Sequence, residues 1–300
     1  MNKLIVITGP TGVGKTETCL QVAEHFHIPI INADSRQIFY ELPIGTAAPT
    51  EEQQQRVKHF LVGNLHLNDY YSASLFENDV LKILEDYFDS NQSDKIILSG
   101  GSMMYIDAVC NGIDDIPTID QDTRQLYKQR LQTEGLERLC EELKQVDPEY
   151  YAIVDRHNTR RVVHALEICH MTKRTYTSFR TNNIKTRPFQ IIKIGLNRPR
   201  EELYERINKR VVEMIRNGMV DEAREVYPLR HLNSLITVGY KELFKHFDNE
   251  YSLEEAILRI QGNTRKYARK QLTWFKRDRN IKWFLPENVE EIIKYIETFA

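Results

Sequence analysis

The chain has 300 residues, enough for one large domain or two smaller ones, and 41% of them are hydrophobic against 28% charged, an ordinary globular composition that can build a core. Its formal net charge of −2 excludes attraction of nucleic acid by the whole-molecule field, so any such affinity must come from a local basic patch. No apolar run is long enough to span a bilayer, so no membrane partner is expected.

In chain order, "KLIVITG" reads as a strand buried on both faces, and Lys15 to Phe26 as the helix after it. "IPIINAD" reads as a second strand ending at Asp34. "KIILSGG", Lys95 to Gly101, is a third, with a helix from Ser102. Roughly ninety residues without a good strand follow. Leu126, Leu131, Leu136, Leu139 and Leu143 lie there among many charges, and "RRVVHALEI" has the spacing of an amphipathic helix. The polar stretch "TNNIKTRP" closes that region. "FQIIKIGL" is a fourth strand. The rest is mostly helical, with Gly218 a helix stop and "IKWFL" a candidate late strand. Strands alternating with helices predict an α/β fold with a parallel, P-loop NTPase-like sheet, a helical insertion and a helical C-terminal region. The expected division is a core at 1–116, the insertion at 117–187, and the core continued with basic helices at 188–300. Cys19, Cys110, Cys140 and Cys169 are scattered, with no C-x-x-C pair, which suits a reducing cytoplasm better than a disulfide or zinc framework.

Gly9, Gly14, Lys15 and Thr16 fit G-x-x-x-x-G-K-[ST] between a strand and a helix. Glycines let backbone N–H groups turn inward around an anion, and the helix N-terminus adds its dipole. Lys15 supplies charge and Thr16 can ligate Mg²⁺. The loop argues for phosphates more strongly than for ATP, because the apolar strand "KIILSGG" ends without the Asp that commonly holds the metal in nucleotidases and kinases. The only strand ending in Asp is the second. Asp34 there can be a metal ligand, a general base or the cap of a turn, and Ser35 and Gln37 beside it can read the polar edge of a base. Near the C-terminus, "NTRKYARKQLTWFKRDR" places Arg265 with Arg269, and Lys266 with Lys270, at i, i+4 on a helix, a stripe suited to a phosphate backbone. Trp274 and Phe275 read as core.

"GPTGVGKT", "ADSRQIFYELPIGTAAPT", "LSGGSMMYIDAVCNGI", "RRVVHALEI", "LYERINKRVVEMIRNGMVDE", "LITVGYKEL" and "NTRKYARKQLTWFKR" occur in that order, from Gly9 to about Arg277. Together they resemble the bacterial-type tRNA dimethylallyltransferases, or tRNA isopentenyltransferases. The resemblance implies a cytoplasmic prenyltransferase, expected to be a monomer, acting in tRNA modification. Such enzymes move a dimethylallyl group from its diphosphate to N6 of adenine 37, beside the anticodon. It implies that Gly9, Pro10, Thr11, Gly12, Val13, Gly14, Lys15 and Thr16 cradle the diphosphate, with Mg²⁺ at Thr16. Asp34 corresponds to the catalytic carboxylate. Thr11, Lys15 and Arg210 correspond to residues acting on the diphosphate. Contacts to the anticodon stem-loop are implied for Asp34, Ser35, Arg36, Gln37, Ser102 and Arg124, and for Arg160, Arg161 and His164 in the insertion. The family match also favours RNA contact for Arg265, Lys266, Arg269 and Lys270. The chain departs from the pattern at Ser102, where Thr is common, at Met103, where Gly is common, and at His164, where an Arg would carry a permanent charge. Three alternatives share some of these features: a P-loop kinase, an isopentenyltransferase of free adenine nucleotides, and a non-catalytic RNA-binding relative. Neither of the first two needs the insertion or the basic helix. Intact Lys15, Thr16, Asp34 and Arg210 argue against the third.

Overall fold

Strand β1, Lys3–Thr8, is apolar on both faces and lies inside the sheet. Ile5 and Ile7 point to one side and Leu4 and Val6 to the other, so the period of two feeds two separate cores. The computed structural model describes residues 1–90, 93–181 and 183–299. In it β1 is followed by α1, Lys15–Phe26, β2, Ile30–Asn32, α2, Glu51–Arg56, β3, His59–Phe60, α3, Ala73–Asp89, β4, Lys95–Gly100, and α4, Met103–Asn111. After a helical segment come β5, Gln190–Leu196, and β6, Lys282–Phe284. The strands form one six-stranded sheet in the order β3-β2-β4-β1-β5-β6, parallel at every pairing. This is the expected α/β fold, with helices covering both faces.

The predicted strands are present, with small shifts. β2 ends at Asn32 rather than Asp34, because the chain turns there into a loop held by the Asp34 side chain. β3 has only two residues, too few to show a pattern of alternation. "IKWFL" forms the edge strand β6.

The chain separates into two compact units, one of 1–110 with 186–300 and one of 111–185. In the smaller unit, α5, Gln121–Val146, starts at Asp120, whose carboxylate accepts from the Thr123 N–H at 2.8 Å. It bends at Gly135, where φ is 81°. α6, Pro148–Ile153, and α7, Thr159–Thr172, complete its core of Tyr127, Leu139, Leu143, Tyr150, Val162, Ala165 and Leu166. Four of the five leucines of the insertion pattern, Leu131, Leu136, Leu139 and Leu143, pack in that cluster. Asn182, in the polar stretch that closes this region, lies outside the described residues.

In the larger unit, α8, Arg200–Arg216, and α9, Met219–Val226, follow β5. They are separated by Gly218, which takes φ 102° between them. α10, Tyr240–Phe247, and α11, Leu253–Phe275, pack beside them, and α12, Val289–Glu297, covers β1 and β5 through Ile292 and Ile296. Phe275 is buried, and Trp274 packs on the same core while its indole N–H donates to Asp107 at 2.9 Å, as the core reading predicted.

Candidate active site

In a parallel sheet the loops beyond the C-terminal strand ends are where ligands sit. Three such loops matter here. The loop after β1 holds Gly9 to Gly14 and runs into α1. Gly14 has φ 116°, a conformation strained for any residue with a Cβ, and it lets the chain turn into the helix. No side chain caps α1, so its first N–H groups remain available to an anion. Lys15 folds back on its own loop, with Nζ donating to the carbonyls of Gly9 at 2.9 Å and Pro10 at 3.0 Å. Thr16 is exposed in the first turn.

The loop is braced from below and from one side. Arg198, buried just past β5, donates from Nε to the Val13 carbonyl at 2.8 Å. Arg206 on α8 donates to the Gly12 carbonyl at 3.1 Å. Gln271 on α11 is almost fully buried and uses both ends of its amide. Its oxygen accepts from the Thr11 N–H at 2.9 Å, and its nitrogen donates to the Gly101 carbonyl at 2.8 Å. Gly101 permits this approach, since a Cβ there would lie 2.4 Å from the Gln271 nitrogen. Sequence reasoning assigned Gln271 no role.

After β2, Asp34 Oδ1 accepts from the N–H groups of Arg36 at 2.9 Å and Gln37 at 3.4 Å. The turn-capping reading is therefore realised by one oxygen. Oδ2 receives no hydrogen bond from the described residues. Ser102, buried at the head of α4, accepts from the Ser35 N–H at 2.7 Å, while its own N–H bonds Ala33 O at 3.1 Å. Gln37 donates to the Thr46 and Ala47 carbonyls at 3.0 and 2.9 Å. Thus the side chains of Ser102 and Gln37 both shape the Asp34 loop.

Lys15, Asp34 and Arg210 share one electrostatic neighbourhood. Burial, and after it the charge of Arg210, pull Lys15 down to about 8, against the opposing pull of Asp34. Arg210 is also held below its usual value by burial, again opposed by Asp34. Its guanidinium donates to Thr46 O at 3.4 Å. Two tyrosines missed in the sequence stand in the same field. Tyr105 and Tyr267 are each pushed up to about 12 by burial, with further effects from Arg36 and Asp34, and both remain neutral hydroxyl donors at physiological pH.

A second strut fixes the following loop. Buried Glu222 on α9 accepts from the N–H groups of Ile44 at 2.7 Å and Gly45 at 2.8 Å and from the Tyr240 hydroxyl at 2.5 Å. Glu222 and Tyr240 fall within the stretches "LYERINKRVVEMIRNGMVDE" and "LITVGYKEL". Replacing Glu222 with Ala leaves three donors facing a cavity. We expect a loss of about 3 kcal/mol in unfolding free energy, read as a lowered denaturant midpoint. A loss below about 0.5 kcal/mol would show the strut to be dispensable.

The basic stripe divides between two surroundings. Arg265 donates to the Asn208 side chain and Arg269 to the Tyr204 hydroxyl at 3.5 Å, both toward α8. Lys266 and Lys270 are exposed. In the smaller unit, Arg160 and Arg161 are exposed on the first turn of α7, and Arg124 is half-buried on α5. His164 is held below its ordinary value by burial and by Arg124, so it is neutral near pH 7. Glu167, 3.9 Å from His164, is pushed up to about 7 by burial.

Among the described residues no cluster of three or more His, Cys, Asp or Glu is placed to hold a metal. The Thr16 hydroxyl offers one oxygen. Such a donor set fits Mg²⁺ that takes its other ligands from phosphate and water, as this ion commonly does.

A profile of the IPP transferase family matches residues 37–278. The chain belongs to the IPP transferase family. The match begins after the phosphate loop, so the family assignment and the loop are independent observations. Among relatives, the tRNA dimethylallyltransferase 1 of Phocaeicola vulgatus is 61% identical over 98% of both chains. That of Bacteroides thetaiotaomicron is 59% identical over 99% of this chain and 96% of its own. Among solved structures, the full-length tRNA isopentenylpyrophosphate transferase of Bacillus halodurans superposes with a TM-score of 0.73 at 31% identity, covering 99% of this chain and 96% of that one. This IPP transferase carries its phosphate loop after β1 and Asp34 after β2, with β4 between the two strands. No described helix is long and apolar enough to cross a membrane.

Proposed function

We propose that the protein transfers a dimethylallyl group from dimethylallyl diphosphate to N6 of adenine 37 in tRNA, releasing diphosphate. The observation that carries this is the pairing, in an IPP transferase, of a phosphate loop with a carboxylate that shares the field of Lys15 and Arg210. An allylic C–O bond breaks more readily as negative charge on the departing diphosphate is stabilised. Loop N–H groups, Lys15 and Arg210 meet that charge, and Thr11 lies beside them within the loop. Mg²⁺ held at Thr16 would supply further charge neutralisation on the diphosphate. The adenine N6 is a weak nucleophile because its lone pair is delocalised, and it must lose a proton as the new N–C bond forms. Asp34 Oδ2 accepts that proton. Tyr105 and Tyr267 stay neutral and offer hydroxyl donors beside it.

The target base must leave the anticodon-loop stack to reach a donor held by the phosphate loop. Ser35, Arg36 and Gln37 flank Asp34 and Ser102 supports their loop, so these residues lie where the base would arrive. Arg124, Arg160, Arg161 and His164 give the 111–185 unit a set of RNA contacts, and that unit is read as a holder of the anticodon stem-loop. A neutral His164 offers a hydrogen bond there but no permanent charge. A protein–RNA crosslink map with no adduct in this unit would reject that role.

The assay incubates the protein with labelled dimethylallyl diphosphate, Mg²⁺ and an anticodon stem-loop. Label on N6 of adenine 37 is the expected result. Phosphate transfer from ATP in its place would favour a kinase, and prenylation of free adenine nucleotides alone would favour the nucleotide-modifying relatives.

Lys266 and Lys270, exposed on α11, are read as phosphate contacts of the RNA together with Arg265 and Arg269. Replacing both lysines with Ala should weaken stem-loop binding and flatten the slope of log Kd against log salt by about 1.5. An unchanged slope would place the RNA elsewhere.

A further inference from the structure

A cavity of about 860 Å³ opens beyond the C-terminal ends of β5 and β6, beside the start of α8 and the last turns of α11. Its size is in the range of small-molecule sites. It is separate from the phosphate loop, none of whose residues lines it. Arg200, Arg269 and Lys276 line it, and none of the three pairs with a carboxylate among the described residues. Glu291 is the acidic side chain on its wall. Tyr204 stands between two of the cations. Its hydroxyl oxygen accepts from Arg200 at 3.1 Å and Arg269 at 3.5 Å, and the Arg200 guanidinium lies 5.1 Å from the ring centre. Trp283 adds a second aromatic face.

Unpaired cations beside aromatic faces match a ligand that carries both phosphate and a flat ring. We propose that this cavity is a nucleotide site distinct from the phosphate loop. Phosphate sits on Arg200, Arg269 and Lys276, and the base lies against Tyr204 or Trp283. The site has a physical link to the phosphate loop. Arg198 lines the cavity while its Nε holds the Val13 carbonyl, and its Nη2 meets Glu287 at 2.6 Å. A nucleotide here therefore touches the brace of the loop. The same chemistry is offered by a free nucleotide and by one residue of an RNA.

Trp283 is one of two tryptophans in the chain, so it reports on the cavity in a Trp274→Phe background. The full-length protein is titrated with ADP, following Trp283 fluorescence and heat of binding. ADP should bind, with Kd raised about tenfold or more by Arg200→Gln with Lys276→Gln and little changed by Lys15→Met. Inorganic diphosphate should show the reverse pattern. Both substituted side chains are exposed and lack ion pairs, so the fold should survive, as a thermal melt would verify. The anticodon stem-loop then separates the two sources. If it displaces ADP, and the double variant weakens it equally, the nucleotide belongs to the RNA. If both bind together, the site takes a free nucleotide. ADP that fails to bind at about 1 mM, or whose binding depends on Lys15 and not on Arg200 and Lys276, overturns the proposal. Prenyl transfer is not needed for this measurement, so its failure and that of the functional reading are told apart.

Discussion

Asp34→Asn should lower single-turnover prenyl transfer by about 10²-fold or more while stem-loop affinity stays near wild type. The substitution is well isolated by the local geometry. Asp34 Oδ1 caps the N–H groups of Arg36 and Gln37, and an asparagine oxygen can accept the same two bonds. The turn therefore persists, with Ser102 still holding Ser35 and Gln37 still reaching Thr46 and Ala47. What is lost is the second carboxylate oxygen as a proton acceptor and the negative charge. The charge loss has its own direction. Asp34 opposes the lowering of both Lys15 and Arg210, so its removal makes each easier to deprotonate. A moderate rise in KM for the donor can accompany the fall in kcat. Near-normal turnover in this variant would remove Asp34 from the proton-transfer step.

Lys15→Met should cost about 10²–10³ in kcat, the usual scale for deleting one preorganised stabiliser of developing negative charge. Unlike Asp34→Asn, it should also weaken binding of inorganic diphosphate. The pH dependence gives a second signature. Lys15 sits at about 8, so the free enzyme keeps this charge below that pH and loses it above. kcat/KM for the donor should fall as pH rises through about 8, and Lys15→Met should lack that limb. The sign for stability is opposite. The folded value of about 8 lies below the ordinary lysine value of 10.5, so between them the unfolded chain binds more protons. Folding then gains stability as pH rises across that window. A wild-type profile flat through pH 9 would show that Lys15 is not the titrating group that the donor meets.

The parts of the protein visible in its sequence are those whose physics is local. A doubly apolar run makes a central strand, and β1, β4 and β5 carry such runs. The phosphate loop needs only glycines and a lysine at fixed spacing between a strand and a helix, and helix α1 begins at Lys15 as that spacing requires. β3 escaped notice because two residues carry no period. The candidate site was legible where its residues lie in a short local pattern, as for Lys15 and Thr16 after β1 and Asp34 after β2.

The supports of the site were not legible, because each joins residues far apart through one hydrogen bond. Thr11 meets Gln271 across 260 positions, Val13 meets Arg198 across 185, and Ile44 meets Glu222 across 178. A single buried glutamine or glutamate leaves no periodicity, and its residue type alone reads as a solvated surface group. The same holds for Tyr105 and Tyr267, which come beside Asp34 only when α4 and α11 pack at the strand ends. The sequence by itself determined the alternation of strands and helices, the phosphate loop and the carboxylate after β2. The tertiary structure alone decided that Gln271 ties α11 to that loop, that Arg265 and Arg269 turn toward α8 while Lys266 and Lys270 face water, and that a cation-lined cavity forms beyond β5 and β6. Burial and long-range hydrogen bonding are properties of the packed chain, and only packing assigns a partner to each polar group.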